Sequence, residues 1–374
     1  MDVVVTGIGL ASCLGSLQLT WSNILRDKTG IRLQRLFPEF PAYPLGLIGT
    51  QPSKIDDLTP KILIDTLEDA ELRIPLEECG VVIGSSRSCQ ATWEQLATRI
   101  DEGIDEDQDW LKTLPHQPAI IIANCLQTTA PVLAPMAACA TGIWALARGY
   151  ELIKTGRCER VAAGAVEAPI SPLTLAAFEP MGALAKTGCY PFDRQREGLV
   201  LGEGGAMFIL ETAELATRRQ AKVYGRIRGF GLTCDAYHIS TPQAVNGSAV
   251  RAIKQSLERS KLEPEAINYI HAHGTSTALN DRHEAQLIQH IFPQRVPVSS
   301  TKGATGHTLG ASGAISAALT LMAMKHSYLP PCVGLKDSEF DLDVVTQSRK
   351  TEINHAMCFS FGFGGQNAVI TLSK

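Results

Sequence analysis

Short apolar segments rich in β-branched residues alternate with helix-like segments along the chain, and this alternation occurs twice. The first series runs over residues 3–212 and the second over residues 224–365. Buried strands that alternate with crossover helices are typical of an α/β fold. Because the series repeats, the pattern predicts two similar halves, at residues 1–227 and 228–374.

The predicted elements have bounds that the structure can test. The β-branched segments of the first series are 3–9, 80–86, 119–125, 160–167 and 206–212, with helices at 63–72 and 141–156. The second series consists of 224–232, 248–260, 267–274, 296–303, 314–326 and 355–365, of which 248–260 and 314–326 have a helical pattern. In each half a small-residue turn leads into a long helix, AACATG at 137–142 and GATGHTLGASG at 303–313.

Composition excludes several classes of function. The formal net charge is -4 and aromatic residues are 6% of the chain, so neither a nucleic acid nor a membrane surface is an expected partner. The ten cysteines are scattered and form no CxxC pair, which predicts reduced thiols rather than a disulfide or zinc framework. The N-terminus begins as a strand without the features of a signal peptide, and we therefore expect a cytoplasmic protein.

Cys139 differs from the other cysteines by its position. It lies among small residues just before the helical pattern that begins at Thr141. Free N–H groups and the macrodipole at a helix N-terminus favour a thiolate, which is the reactive form of cysteine. The alternative is a small buried apolar residue, and that interpretation is the expected one for Cys125, Cys158 and Cys358.

Two histidines are placed where an α/β fold forms its active-site crevice. His273 follows a buried strand, and His307 lies in the glycine-rich turn before a helix. His271 alternates to the opposite face of its strand, and we expect it to be structural. One nucleophilic cysteine and two imidazoles that can be neutral suit acyl transfer, because the sulfur can accept an acyl group while the histidines donate hydrogen bonds to an enolate.

Five motifs in this order resemble those of the elongating β-ketoacyl-acyl-carrier-protein synthases of type II. They are AACATG, DAYH (235–238), HAHGTST (271–277), STKGATGHTLGASG (300–313) and SFGFGGQN (360–367). The resemblance extends from the first strand to the C-terminus. It implies the α/β thiolase fold, in which two duplicated halves with mixed five-stranded sheets stack as α-β-α-β-α layers, usually in a homodimer.

The resemblance also implies a mechanism. Cys139 would take the acyl chain from a carrier-protein thioester, and His273 and His307 would bind malonyl-acyl-carrier protein and promote its decarboxylation. The backbone N–H groups of Cys139 and Phe363 would form an oxyanion hole, and Phe363 would be the gate between the acyl and malonyl sites. Lys302 would organise the loop of His307. The substrates arrive on phosphopantetheine, so no free cofactor and no metal are expected.

Further residues would contact substrate. Thr275 and Thr277 would hydrogen-bond the phosphopantetheine arm. Phe178 falls where the family places an aromatic residue near the acyl pocket, and Phe361 of the glycine hairpin is assigned to the same substrate-binding set.

The chain also departs from the family pattern. Ser316 stands where elongating synthases carry a glutamate, so Lys302 lacks that carboxylate partner. Asp281 and Glu284 are expected to replace it as partners of the histidines and of Lys302. Phe359 replaces a usual asparagine, and the region between about 50 and 125 is shorter than usual.

Two alternatives to fatty-acid elongation are open. The first is a ketosynthase for a specialised polyketide or lipid, which the shortened region favours. The second is a non-catalytic partner subunit that only sets chain length. Such partners lose the nucleophile, so Cys139 disfavours the second alternative.

Overall fold

The structure is a computed structural model of the chain, and it describes residues 2–103, 110–243 and 247–374. Its strands are β1 (Val3–Ser12), β2 (Gly15–Ser16), β3 (Arg32–Gln34), β4 (Tyr43–Leu45), β5 (Gly80–Gly84), β6 (Val132–Leu133), β7 (Arg160–Glu167), β8 (Gly204–Thr212), β9 (Gly225–Cys234), β10 (Tyr269–His271), β11 (Val298–Ser299), β12 (Tyr328–Leu329), β13 (Arg349–Lys350), β14 (His355–Gly362) and β15 (Gln366–Ser373). Its α-helices are α1 (Leu17–Leu25), α2 (Ile55–Asp69), α3 (Gln90–Asp101), α4 (Gln117–Leu126), α5 (Thr141–Lys154), α6 (Pro172–Phe178), α7 (Ala213–Arg218), α8 (Ser248–Ser260), α9 (Ala278–Ile291), α10 (Lys302–Thr305) and α11 (Ser312–His326).

The main sheet has the same topology in each half. The strand order is β11-β10-β14-β15-β9 in one half and β6-β5-β7-β8-β1 in the other. Both runs of five begin with two parallel pairings and end with two antiparallel pairings. The expected duplicated α/β thiolase fold with five-stranded mixed sheets is therefore confirmed.

The two five-stranded runs join edge to edge through β1 and β9. These strands pair antiparallel over three residue pairs, from Val3↔Ile227 to Val5↔Gly225, and this makes one continuous sheet. The predicted boundary between residues 227 and 228 falls inside β9, and the division into domains stays a prediction.

Helices α5 and α11 form the central layer between the two runs of strands. α5 packs on β5 and β7, α11 packs on β14 and β8, and the two helices contact each other. Every residue of α11 from Ser312 to Met324 is buried, as expected for a helix that is apolar on all sides. A Cβ on Gly142 would lie 2.4 Å from the backbone nitrogen of Ala314, so only glycine permits this helix contact.

The predicted strand at 119–125 is wrong, because this segment belongs to helix α4. Its three consecutive isoleucines favour a strand by intrinsic propensity. However, Pro118 occupies the first turn, and Ala119, Ile122 and Leu126 are buried at helical spacing against α2 and β5. Tertiary packing of one helical face therefore outweighs the local preference.

Two features concern the chain as a whole. All ten cysteines are free thiols. Within the ranges that the structure describes, no helix combines the length and the apolar composition needed to cross a membrane.

Candidate active site

Cys139 lies on a tight turn between β6 and α5. Helix α5 begins at Thr141, whose hydroxyl donates to the carbonyl oxygen of Ala138 at 2.7 Å and accepts from the N–H of Ala137 at 2.8 Å. Ala138 has a φ of 47°, in the left-handed region that non-glycine residues adopt at a cost of about 1–2 kcal/mol. The predicted position of Cys139 at a helix start is confirmed.

The turn between β14 and β15 closes on Cys139 from the other half of the chain. Ser360 donates a hydrogen bond from its hydroxyl to the carbonyl oxygen of Cys139 at 2.8 Å. The backbone N–H of Phe363 lies near enough to the Cys139 sulfur to lower the pKa of the thiol, against the larger effect of burial. A Cβ on Gly362 would lie 3.0 Å from the backbone nitrogen of Cys139. Glycine at this position therefore allows the backbone of the hairpin to approach the thiol.

The two predicted histidines lie beside the thiol. His273 follows the end of β10, and His307 lies between α10 and α11 with its backbone N–H donating to Val200 at 2.7 Å. Their ring centroids are 5.2 Å apart at 81°. The Cys139 sulfur and one ring nitrogen of each histidine all lie within 4.8 Å of one another, so the structure brings the three side chains together.

Burial sets the protonation of all three groups. Burial raises the pKa of the Cys139 thiol to about 11, and the positive charge of Lys302 acts in the opposite direction. Burial, followed by the charge of Lys302, holds the pKa of His273 and His307 well below the usual value. The helix N-terminus favours a thiolate at Cys139, as the sequence indicated, but burial has the larger effect and favours the thiol. Cys139 rests as a thiol beside two neutral imidazoles.

This protonation predicts the pH dependence of Cys139 alkylation. Below a raised pKa the thiolate fraction increases tenfold for each pH unit, so the rate with iodoacetamide should increase without a plateau from pH 7 to 10. Mass spectrometry of the Cys139 peptide measures this rate, and the exposed Cys234 in the same sample reports on the reagent. A plateau below pH 9 would contradict a protonated resting thiol.

The same three donor atoms resemble a ligand set for a metal ion. Cysteine and histidine ligands suit zinc. However, the Lys302 charge that lowers the pKa of both histidines also opposes a cation between them. The arrangement is therefore better suited to an anionic intermediate than to a metal.

Lys302 and Glu284 hold the backbone of His273 from two sides. The Lys302 ammonium donates to the carbonyl oxygen of His273, and the Glu284 carboxylate accepts from the N–H groups of His273 at 2.6 Å and Gly274 at 2.7 Å. Burial raises the pKa of Glu284 to about 7 and lowers that of Lys302, and the charge of Glu284 opposes the change at Lys302. Asp281 is also buried and accepts from the N–H of Phe192 at 2.9 Å.

Substitution of Glu284 by glutamine tests this support. The amide has one acceptor oxygen where the carboxylate has two, so one of the two backbone donors is left facing an NH₂ group. Leaving a buried donor unsatisfied costs about 1–3 kcal/mol. We expect a loss of this size in the free energy of unfolding measured by urea denaturation, whereas Glu258→Gln on the exposed face of α8 should change it by less than about 0.5 kcal/mol. Equal stabilities of the two variants would contradict a structural role for Glu284.

A cavity of about 380 Å³ opens onto the three side chains. Cys139, His273 and His307 line it, and four further residues among those predicted from the sequence also line it: Thr275, Thr277, Phe361 and Phe363. The hydroxyls of the two threonines are 2.8 Å apart.

Phe178 is placed differently from the other predicted substrate-binding residues. It is buried and does not line the cavity, and its ring centroid lies 5.9 Å from that of Phe363. Phe363 therefore stands between the cavity and Phe178. Both belong to an apolar cluster that includes Cys139 and Leu309.

Two carboxylates near the site, the partly buried Asp235 and the buried Glu167, were given no role from the sequence. Asp235 of the DAYH motif lines the cavity and accepts from the Asn367 side chain at 2.7 Å. Glu167 ends strand β7 and accepts from Ser85, Ser86 and Arg87 in the turn after β5. A carboxylate directly after the apolar segment 161–166 is the sequence feature that could have indicated Glu167.

Family models match most of the chain. Residues 57–216 match the β-ketoacyl synthase N-terminal domain, and residues 224–336 match the β-ketoacyl synthase C-terminal domain. Among curated proteins, 3-oxoacyl-[acyl-carrier-protein] synthase 2 of Synechocystis sp. is 33% identical and that of Staphylococcus aureus is 31% identical. Both alignments cover 100% of this chain and 98% of the relative.

Solved structures are similar over the same extent. One is a chain from a complex of a type II polyketide synthase acyl-carrier protein with its ketosynthase bound to the hexaketide. Its TM-score is 0.94 and its sequence identity is 29%, and the alignment covers 100% of this chain and 99% of that chain. Another is a β-ketoacyl synthase from Burkholderia phymatum, with a TM-score of 0.90, 27% identity and the same coverage.

Proposed function

The chain belongs to the β-ketoacyl synthase family, and from this we propose that it is a 3-oxoacyl-acyl-carrier-protein synthase. It catalyses the decarboxylative Claisen condensation of an acyl group held on Cys139 with malonyl-acyl-carrier protein, which gives a β-ketoacyl-carrier protein in fatty-acid elongation. The observation that carries the proposed residue roles is the convergence of one buried thiol and two neutral imidazoles on one cavity.

The first half-reaction transfers the acyl group to Cys139. The sulfur attacks the thioester carbonyl of the acyl-carrier protein, and the new carbon–sulfur bond replaces the bond to the phosphopantetheine sulfur. Because Cys139 rests as a thiol, its proton must leave during the attack. A neutral imidazole within 4.8 Å can accept this proton and return it to the departing phosphopantetheine thiolate. The N–H groups of Cys139 and Phe363 hold the oxyanion.

The second half-reaction needs both histidines in their neutral form. The bond between the malonyl methylene carbon and its carboxylate breaks, carbon dioxide leaves, and the electron pair remains as an enolate. N–H groups of His273 and His307 donate to the enolate oxygen. The enolate carbon then attacks the acyl carbonyl on Cys139, and the carbon–sulfur bond to Cys139 breaks. The released Cys139 thiolate takes a proton from solvent, which restores the resting thiol. The depressed pKa of each histidine supports this role, because the neutral form persists at physiological pH.

Further parts of the proposal concern substrate delivery and assembly. Thr275 and Thr277 at the cavity wall hydrogen-bond the phosphopantetheine arm of acyl-carrier protein, which brings both substrates, so no free cofactor is needed. The enzyme works as a homodimer, which is supported by the sheet-edge strand β6 and by the exposed Leu133 and Met136 beside it. The cytoplasmic location stays a prediction.

The test is a reconstituted reaction. The protein is incubated with acyl-acyl-carrier protein and malonyl-acyl-carrier protein, and intact-mass spectrometry follows Cys139 and the carrier proteins. An acyl adduct on Cys139 followed by a β-ketoacyl product two carbons longer would support the function. Failure to form either species with acyl chains of several lengths would overturn it.

A specialised polyketide ketosynthase is the second candidate. It is favoured by the similarity to the type II polyketide ketosynthase complex and by a charged side chain beside the acyl-binding aromatic residues. A non-catalytic partner subunit is disfavoured, because the thiol and both histidines are present together.

A further inference from the structure

Arg87 lies against the inner side of the proposed acyl site. It belongs to the turn that follows the parallel strand β5, and its guanidinium carbon is 5.7 Å from the centroid of the Phe178 ring. Phe178 in turn packs on Phe363, and both rings belong to the apolar cluster that includes Cys139. The positive charge of Arg87 also lowers the pKa of Cys139, against the larger effect of burial. Two aromatic rings therefore separate a fixed positive charge from the thiol.

The backbone of Arg87 is held rigidly. Its N–H donates to the buried Glu167 carboxylate at 2.9 Å, and the same carboxylate accepts from the N–H of Ser86 at 2.7 Å and of Gly310 at 3.1 Å. The Glu167 carboxylate accepts hydrogen bonds from backbone N–H groups and from neighbouring hydroxyls. It therefore fixes the turn and does not neutralise the Arg87 guanidinium.

The guanidinium has few partners of its own. Arg87 is partly buried, and its only side-chain hydrogen bond to a described residue is to the Gln90 amide oxygen at 3.4 Å. Among the residues in the described ranges, none forms an ion pair with Arg87. A guanidinium has five N–H donors, so one long hydrogen bond to Gln90 leaves most of them without an acceptor among the described residues. Its surroundings therefore suit an additional oxygen acceptor.

The path from Cys139 to Arg87 passes Phe363. This residue lines the cavity and packs on Phe178, and it is flanked by Gly362 and by Gly364 with a φ of 75°. Glycines on both sides give the hairpin the backbone freedom to move the ring. An acyl chain that starts on Cys139 and displaces Phe363 from Phe178 then extends toward the guanidinium.

We propose that Arg87 selects acyl chains that carry an acceptor oxygen beyond the thioester, either a ketone or a carboxylate, over plain alkyl chains. The inference rests on the condensation chemistry of the proposed function, since it assumes that Cys139 carries the acyl group. As to substrate, it favours the second candidate, a specialised polyketide ketosynthase, over fatty-acid elongation. A saturated alkyl chain cannot accept a hydrogen bond, so it would desolvate the guanidinium without compensation. A ketone or carboxylate oxygen would accept one or two of its N–H groups.

The experiment compares three eight-carbon acyl groups on one carrier protein: octanoyl, 7-oxooctanoyl and the singly linked octanedioyl group, which ends in a carboxylate. The initial rate of Cys139 acylation is measured by intact mass for the natural protein, Arg87→Leu and Arg87→Gln. Arg148→Leu is the matched control, because Arg148 also stacks on an aromatic ring, 5.3 Å from Trp144, but pairs with Glu151 on α5. Thermal unfolding confirms that each variant is folded.

We expect the natural protein to load at least one oxygen-bearing chain about ten- to one hundredfold faster than octanoyl, the factor that charge-assisted hydrogen bonds provide. Arg87→Leu should reduce this ratio to near one, and Arg148→Leu should leave it unchanged. Arg87→Gln distinguishes the two chemistries, since an amide retains a donor for a ketone but loses the charge for a carboxylate. Equal or faster loading of octanoyl by the natural protein, or an unchanged ratio in Arg87→Leu, would overturn the inference. Absence of any adduct on Cys139 would instead overturn the proposed function.

Discussion

Substitution of Cys139 by alanine is expected to reduce condensation by on the order of ten thousandfold or more, because it removes the proposed nucleophile that carries the acyl group. No acyl adduct should form on the protein with any acyl-acyl-carrier protein. The two imidazoles and the Phe363 N–H group are retained, so malonyl-acyl-carrier protein should still be decarboxylated to acetyl-acyl-carrier protein. Intact-mass spectrometry of the protein and of both carrier proteins measures the three outcomes together.

The control for this substitution is Cys158→Ala. Cys158 is also a buried free thiol, but it lies after α5 and does not line the cavity. The Cys158→Ala variant should load acyl groups on Cys139 at the same rate as the natural protein. Full condensation activity in Cys139→Ala would remove Cys139 from the mechanism, and loss of activity in Cys158→Ala would indicate that general destabilisation explains both results.

Substitution of His307 by alanine is expected to separate the two half-reactions. Removal of one hydrogen-bond donor to a developing oxyanion typically reduces the rate by about 10²–10³-fold. We therefore expect decarboxylation and condensation to fall by this factor while acylation of Cys139 changes by less than about tenfold, because His273 remains available to accept the thiol proton. Single-turnover acylation and steady-state condensation, measured on the same preparation, distinguish the two steps.

His290→Ala controls for a general effect of histidine removal, since His290 is exposed on α9. A normal condensation rate in His307→Ala would exclude His307 from enolate stabilisation. Equal losses in acylation and condensation would instead assign it to proton transfer from the thiol.

The three central side chains could be predicted from local sequence patterns. Cys139 precedes a helix, His273 follows a strand and His307 lies in a glycine-rich turn, and in an α/β fold these positions meet at the carboxyl ends of the strands. The motifs thus predicted which residues converge, although the three positions are far apart in the chain. They did not predict that Cys139 rests as a thiol, because the pKa of Cys139 depends on burial by residues from both halves.

The helical state of α4 and the positions of Arg87 and Glu167 depend on tertiary packing, which cannot be predicted from a short segment of sequence. Helix α4 was predicted as a strand, since three isoleucines favour β structure locally while α2 and β5 select a helical face. Arg87 and Glu167 carry no motif of their own. Their position near the thiol follows from the parallel pairing of β5 with β7, which brings the turn after β5 to the end of β7.

The sequence by itself determined the fold class, the duplication and which three candidate side chains converge, because strand and helix periodicity and glycine-rich turns are local properties of the chain. The tertiary structure decided the charge state of those side chains and what surrounds the proposed acyl site. Both depend on solvent exclusion and on distances between groups more than a hundred residues apart, such as the hydrogen bond from Ser360 to Cys139 and the contact of Phe178 with Phe363. Electrostatic energies vary steeply with burial and separation, and only the folded chain sets these two quantities.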